Sequence, residues 1–213
     1  MGYVRANKLD EEKERFDVED IEELKKFQYL SIHAPAVIYD GDEKEQMRYP
    51  SEGAEEALEK IMEIAKETNA DTVIVHSDLV DDFDWLSKKI GNLLAIENMD
   101  IKKSFGKTIK DLEKIFSQTP DLKLVCDVNH IYTMDDSMKL AKSFHSAFGD
   151  MICHYHLSGY GGFHSALHIS REDIILEGIK DFSKPIIDEG RALRDGKESL
   201  LKENKYILDR LKE

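Results

Sequence analysis

Short apolar runs alternate along the chain with segments in which apolar residues recur at helical spacing. Most of the runs are continuously apolar, as in parallel strands that are covered on both faces. Six runs predict strands over residues 27–32, 72–75, 93–96, 122–126, 151–155 and 185–187. Helical spacing predicts helices over residues 19–26, 51–68, 108–117, 135–148, 174–182 and 198–211. The alternation is typical of βα units and predicts an α/β fold with a parallel sheet.

Six clear strands are fewer than the eight of a complete TIM barrel. A further short strand could lie at residues 2–6. We therefore expect a TIM-barrel-like parallel (β/α) barrel that is short or incomplete at the N-terminus, completed by residues 1–26 or by a second subunit. A doubly wound open sheet is the competing architecture, but no glycine-rich phosphate loop follows any predicted strand. A length of 213 residues favours a single domain over residues 1–213.

Net charge and cysteine content limit the classes of binding partner and the cellular compartment that we expect. Asp and Glu number 44 against 30 Lys and Arg, so the formal net charge is −14. This charge disfavours unspecific binding to nucleic acid or to anionic membranes, although a local basic groove could still bind nucleic acid. Cys126 and Cys153 lie in apolar runs, which argues against a disulfide framework. We expect a soluble, cytoplasmic protein without a membrane partner, with homo-oligomer formation left open.

Every predicted strand ends at a residue type that binds metal ions. In chain order these are His33, His76, Glu97, Asp127 with His130, His156 and Glu189. Parallel strands bring their carboxyl ends to one face, so these side chains are expected to converge. Converging carboxylates and imidazoles need a cation to offset their desolvation and mutual repulsion. Mixed imidazole and carboxylate ligands suit Zn, Mn, Fe or Co better than Ca.

Each of these residues also has an ordinary structural interpretation. A lone histidine after a strand is more often packed and hydrogen-bonded than bound to metal, and a lone carboxylate there is more often a helix cap. The coincidence over six strand ends favours a metal site. We expect His145 to lie at the surface or to serve packing, the two cysteines to serve packing, and Asp78, Asp81, Asp82 and Asp84 to form a solvated loop.

The strand-end motifs occur in the order found in the xylose isomerase-like TIM-barrel superfamily, and within it in endonuclease IV, the AP endonuclease family 2. The resemblance covers about residues 27–191. It rests on His33-Ala34-Pro35, His76, Glu97-Asn98, Asp127-Val128-Asn129-His130, His156-Leu157-Ser158 and Glu189. It implies a three-zinc cluster that polarises a phosphodiester and supplies a hydroxide nucleophile.

Carried over by position, the resemblance implies eight metal ligands: His33, His76, Glu97, Asp127, His130, His156, His164 and Glu189. The family has an Asp-x-His pair in the loop after the fifth strand. This chain has Gly162-Phe163-His164 there, so the histidine is kept and the aspartate is absent, which is why we prefer His164 to His168 as a ligand. We expect one or two divalent ions, zinc before Mn, Fe, Co or Mg.

The sugar isomerase and epimerase branch implies a second hypothesis with one ion, held by Glu97, Asp127, His156 and Glu189. Glu97 and Glu189 would also shuttle a proton and His130 would orient the substrate, so these three are the predicted catalytic residues. The substrate-binding arginine of the epimerases is replaced by Gly161 and Gly162.

Metal-assisted phosphoester hydrolysis is the leading hypothesis, because His33 and His76 are surplus to a one-metal isomerase. The expected substrate is a small phosphorylated compound or a sugar. Duplex DNA is less favoured by the net charge, with Lys102, Lys103 and Lys107 as the candidate phosphate contacts. A barrel that binds metal or a small ligand without turnover is the third possibility.

Overall fold

The computed structural model describes residues 18–40, 43–161, 164–191 and 196–212. The chain divides into two compact units. The first contains the described residues up to Glu97 together with Glu113–Lys123, and the second contains Asn98–Leu112 together with the described residues from Leu124 onwards. Six parallel strands are found in the described segments, three in each unit, which confirms the α/β class and the six strands expected of an incomplete barrel.

The elements follow one another along the chain with short connections. The strands are β1 (Ser31–His33), β2 (Val37–Asp40), β3 (Glu43–Gln46), β4 (Thr72–His76), β5 (Leu94–Glu97), β6 (Lys123–Asp127), β7 (Ile152–Leu157) and β8 (Ile186–Asp188). The helices are α1 (Val18–Leu24), α2 (Glu52–Thr68), α3 (Phe83–Ile90), α4 (Ile109–Gln118), α5 (Val128–Met134), α6 (Lys139–Phe148), α7 (Leu167–Ser170) and α8 (Lys197–Arg210).

In the first unit, β1, β4 and β5 are parallel and lie in the order in which they occur along the chain. The register places His33 opposite Ile74 and His76 opposite Glu97. The side chains inside β4 and β5 are buried irrespective of the face they occupy. These strands are therefore covered on both sides, as their continuously apolar sequences predicted.

Helix α2 begins and ends where the sequence provides caps. The Ser51 hydroxyl accepts a hydrogen bond from the backbone N–H of Ala54, and Asn69 adopts the left-handed conformation that ends the helix. One face of α2 buries a stripe of apolar residues that includes Leu58 and Ile61. The predicted helix over residues 51–68 is confirmed.

In the second unit, β6, β7 and β8 are parallel and again follow chain order. Asp127 lies opposite His156, and His156 lies opposite Ile187. Leu124 and Val125 of β6 and Leu157 of β7 are buried. The strand ends that carry the predicted ligands are thus in register with one another.

The predicted strand over residues 27–32 is wrong in its first four positions. The backbone N–H of Phe27 bonds the carbonyl of Leu24 in the turn that ends α1, and the Phe27 side chain is 66% exposed. Strand β1 begins only at Ser31. The apolar character of this run reflects a helix end followed by a connection, which periodicity does not separate from a short strand.

The predicted helix over residues 135–148 begins four residues too early. The Asp135 carboxylate accepts hydrogen bonds from the backbone N–H groups of Ser137 and Leu140, and Met138 is left-handed at φ 55°. These features form a turn, so α6 starts at Lys139. The predicted helix over residues 174–182 is instead a short 3-10 helix, Asp173–Gly178.

Among the described helices and strands, the β2–β3 hairpin, α3, α5 and α7 were not predicted. The Asp82 carboxylate accepts the backbone N–H of Trp85 as the N-cap of α3, and Asp84 lies inside that helix. Both residues are exposed, as predicted, but the prediction of a loop is wrong for Asp84. The predicted strand at residues 2–6 lies outside the described residues. Among the described helices, none is long and apolar enough to cross a membrane.

Candidate metal centre

The ends of β1, β4 and β5 carry the first group of candidate ligands, His33, His76 and Glu97. Each offers one ligand atom, and these atoms lie within 4.8 Å of one another. The Nε2 atoms of both histidines are 3.3 Å from the same carboxylate oxygen, Oε2 of Glu97. Glu97 is 2% exposed. We name this group the first triad.

Backbone contacts fix the orientation of the first triad. His33 Nδ1 lies 2.9 Å from the carbonyl oxygen of Ala34, which can only accept, so Nδ1 carries the proton. In the neutral ring, Nε2 then presents a lone pair toward Glu97. The Ser77 hydroxyl donates to the Glu97 carbonyl at 2.9 Å and ties the end of β4 to the end of β5.

The second unit carries the second triad, Asp127, His156 and Glu189, whose ligand atoms also lie within 4.8 Å of one another. His156 Nδ1 is 3.0 Å from Glu189 Oε1. Asp127 ends β6, and His156, its partner in the register, is the penultimate residue of β7. Glu189 follows β8, where its backbone N–H donates to the carbonyl of Leu157 at 2.8 Å. All three side chains are at least nine-tenths buried.

His130 lies on α5, close to Asp127. Its backbone N–H donates to Asp127 Oδ1 at 2.9 Å, and its ring Nε2 is 3.6 Å from Asp127 Oδ2. Its Nδ1 donates to the Asn98 carbonyl at 2.7 Å. Asp127 is therefore both the N-cap of α5 and a candidate ligand, so the helix cap and metal site interpretations apply to the same residue.

The two histidines of the loop after β7 have different surroundings. His164 Nδ1 lies 3.7 Å from Glu189 Oε2 and 3.0 Å from the Ser158 hydroxyl. His168 Nδ1 instead lies 2.6 Å from Glu203, a fully buried carboxylate of α8 that also accepts two backbone N–H groups. The structure thus places His164 beside the second triad and uses His168 to hold α8.

Buried amides that follow the strand ends hold the backbone of the second unit. The Asn98 side chain donates to the Asp127 carbonyl at 3.0 Å and accepts the Asp127 N–H at 2.8 Å. The Asn129 side chain donates to the Ser158 carbonyl at 3.1 Å. Asn98 and Asn129 belong to the strand-end motifs of the sequence, but the sequence alone assigned them no role. The available signal was their position, one or two residues after a strand-end carboxylate.

The remaining predictions concern residues around the two triads. The Lys107 ammonium donates to the Ile101 carbonyl at 3.1 Å, so it already has a local contact. Cys126 is buried, Cys153 is half-buried, and the two are not joined by a disulfide. Next to Glu189, burial raises the pKa of the Asp188 carboxyl to about 6. Gly162 and Phe163, in the predicted loop over the site, lie outside the described residues.

The chemistry of both triads suits a divalent cation. In the first triad an imidazole lone pair and a carboxylate oxygen, both acceptors, face each other in a buried setting. A cation between such atoms provides the missing positive partner and offsets their desolvation. Histidine nitrogen and carboxylate oxygen are ligands that Zn, Mn, Fe and Co share. The residues present therefore fit a metal ion.

No family model and no curated protein matches the chain. Among solved structures, the one described as the crystal structure of AsfvAP:AG is 14% identical, with a TM-score of 0.60 over 92% of this chain and 80% of that one. Endonuclease IV from Thermus thermophilus is 14% identical, with a TM-score of 0.58 over 88% of this chain and 83% of that one.

The TTHB071 protein, also from Thermus thermophilus and soaked with ZnCl2, is 16% identical, with a TM-score of 0.53 over 95% of this chain and 86% of that one. At such identities the likeness concerns the fold. It covers nearly the whole chain in each case. The chain therefore has the fold of endonuclease IV.

Proposed function

We propose that the protein is a divalent-metal-dependent enzyme that hydrolyses phosphoesters. The observation that carries the proposal is the first triad, in which His33 and His76 both direct Nε2 at one oxygen of Glu97. A one-metal sugar isomerase of this fold would have no use for these two histidines. A hydrolase that holds more than one ion would need them.

In this proposal the first triad holds one ion and the second triad holds another. Bound metal would lower the pKa of a water molecule toward neutrality and neutralise charge on the phosphoryl oxygens. The burial of Glu97, Asp127 and His156 excludes bulk water and strengthens the electrostatic interactions of these side chains. His130 and His164, at the edge of the second triad, would contact the substrate or complete the ligand set.

Asn98, the residue that follows the first triad in the sequence, supports the second triad in this proposal. Glu97, the carboxylate of the first triad, is joined by a single peptide bond to Asn98. The Asn98 amide in turn holds the backbone of Asp127, a member of the second triad, by two hydrogen bonds. Zinc is the proposed metal because the ligands combine imidazole and carboxylate, and because TTHB071, which has the same fold, was soaked with ZnCl2.

The proposed substrate is a phosphoester, either a small phosphorylated compound or nucleic acid, the substrate type that the name of endonuclease IV indicates. The net charge of −14 favours the small compound, because unspecific attraction to a polyanion is weak.

We propose a cytoplasmic protein without a membrane partner.

The deciding experiment is metal content per chain by plasma mass spectrometry. Protein purified without chelator is compared with His76→Ala and with the control His145→Ala, a histidine on α6 outside both triads. We expect two ions in wild type and in the control, and one ion in His76→Ala. Activity on aryl phosphate esters and on abasic-site DNA should fall with the lost ion. Failure of wild type to take up metal even after reloading with zinc would refute the proposal.

A sugar or sugar-phosphate isomerase is the second candidate. It is favoured by the two buried glutamates, Glu97 and Glu189, each with a carboxylate oxygen beside a histidine ring nitrogen. Such a pair could move a proton between carbons next to a carbonyl. A single ion that survives His76→Ala, together with aldose–ketose interconversion by the purified protein, would establish this alternative.

A further inference from the structure

His154 is a fully buried histidine that belongs to neither triad. It lies on β7 two residues before His156, so both side chains occupy the same face of the strand. The Nε2 atoms of the two rings are 3.2 Å apart. We propose that His154 is a positioning residue that keeps the proton of His156 on Nε2 and thereby presents Nδ1 to the metal. This inference rests on the proposed metal site.

The position of each proton follows from the contacts of Cys153. Its sulfur lies 3.3 Å from the Leu124 carbonyl oxygen, which can only accept, so the thiol hydrogen is used there. The sulfur also lies 3.3 Å from His154 Nδ1, and it can then only accept from that nitrogen. His154 is accordingly protonated on Nδ1, and its Nε2 carries a lone pair.

The lone pair on His154 Nε2 determines which nitrogen of the His156 ring carries the proton. The hydrogen bond between the two Nε2 atoms must be donated by His156, so His156 carries its proton on Nε2. In the neutral His156 ring, Nδ1 then presents a lone pair, 3.0 Å from Glu189 Oε1. Two acceptors at this distance in a buried site are stabilised by a cation that binds both.

The two triads therefore offer opposite ring nitrogens. His33 donates Nδ1–H to the Ala34 carbonyl and offers Nε2, whereas His156 donates Nε2–H to His154 and offers Nδ1. A ligand ring whose other nitrogen is engaged by a fixed partner keeps one orientation, and loss of such a partner weakens metal binding. His154 serves His156 in this way.

The first test needs no metal. Long-range proton–nitrogen NMR spectra of metal-free protein labelled with ¹⁵N-histidine, recorded at alkaline pH, report which ring nitrogen carries the proton. The signals of His156 are identified by their loss in His156→Asn. We expect the Nε2-protonated form of His156 in wild type and a mixture of both forms in His154→Phe. An Nδ1-protonated His156 in wild type would overturn the inference.

The second test measures zinc affinity by competition with a chromophoric chelator, in a His76→Ala background in which the proposal leaves the second triad as the binding site. Asparagine places its amide oxygen near the position of Nδ1, and glutamine places it near Nε2. We expect His156→Asn to retain zinc more tightly than His156→Gln. The reverse order would show that the metal uses Nε2 and would contradict the inference.

The role of His154 is tested in the same assay by a conservative rescue. His154→Phe fills the space without an acceptor, and we expect zinc affinity to fall roughly 10- to 100-fold. His154→Gln supplies an acceptor and should restore most of that loss. Equal zinc affinity in His154→Phe and His154→Gln would show that His154 has only a packing role. Absence of zinc binding in wild type would refute the proposed function, while the NMR test would still decide the proton position in His156.

Discussion

Replacing Asn98 by alanine should destabilise the fold more than any other single change to the hydrogen bonds around the second triad. The Asn98 side chain is fully buried and bonds both the N–H and the C=O of Asp127. Alanine leaves both backbone groups without this partner in a buried setting. Each such group costs about 1–3 kcal/mol, so the expected loss in free energy of unfolding is about 2–6 kcal/mol.

Asn129→Ala is the matched control. Asn129 is also buried and also bonds the backbone beside a strand end, but through one hydrogen bond, to the Ser158 carbonyl. The expected loss is therefore about 1–3 kcal/mol. Both variants remove the same atoms from the same residue type, so their difference reports the second hydrogen bond rather than the lost volume.

Urea unfolding followed by circular dichroism, with linear extrapolation, measures both free energies. Zinc content of the folded variants provides a second readout. Because Asn98 positions the backbone of Asp127, Asn98→Ala should also weaken metal binding. A cost for Asn98→Ala no larger than that for Asn129→Ala, with unchanged zinc content, would refute the reasoning.

Three further substitutions test the local structure by chemical unfolding. Ser51→Ala removes the N-cap of α2 and should cost about 1 kcal/mol, and no change in stability would contradict the cap. Hydrogen bonds from the turn lower the pKa of Asp135, so its stabilisation is present above its unfolded pKa and is lost as pH falls through the folded value. Asp135→Asn should therefore lower the free energy of unfolding at pH 7 and not at pH 2. An equal loss at both pH values would show that the charge of Asp135 does not contribute to stability. Gly178→Ala would place a methyl group 2.8 Å from Val128 and should cost about 1–3 kcal/mol, and an unaffected variant would show that this contact relaxes freely.

The sequence alone was sufficient for the elements whose patterns are local. The continuously apolar runs at 72–75 and 93–96 predicted β4 and β5 within one residue, because burial on both faces requires apolar residues at successive positions. Ser51 marked the start of α2 because a cap acts within one turn. The residue type at each strand end was also visible in the sequence.

Elements whose bounds depend on individual hydrogen bonds were missed. The run at 27–32 begins in the turn that follows α1, and Asp135 diverts the chain into a turn where helical periodicity continues in the sequence. Helix α3 is only eight residues long. In such short segments, a few hydrogen bonds outweigh the weak preferences that a sequence pattern expresses.

The residue types of the candidate ligands were thus visible in the chain, since each follows a run that predicts a strand. Their orientation was not. That His168 is held by Glu203, 35 residues away, whereas His164 lies beside Glu189, depends on contacts that residue types do not encode. The ring nitrogen that each histidine offers is set in the same way, by a partner that comes close only once the chain has folded: the Ala34 carbonyl for His33 and the His154 ring for His156.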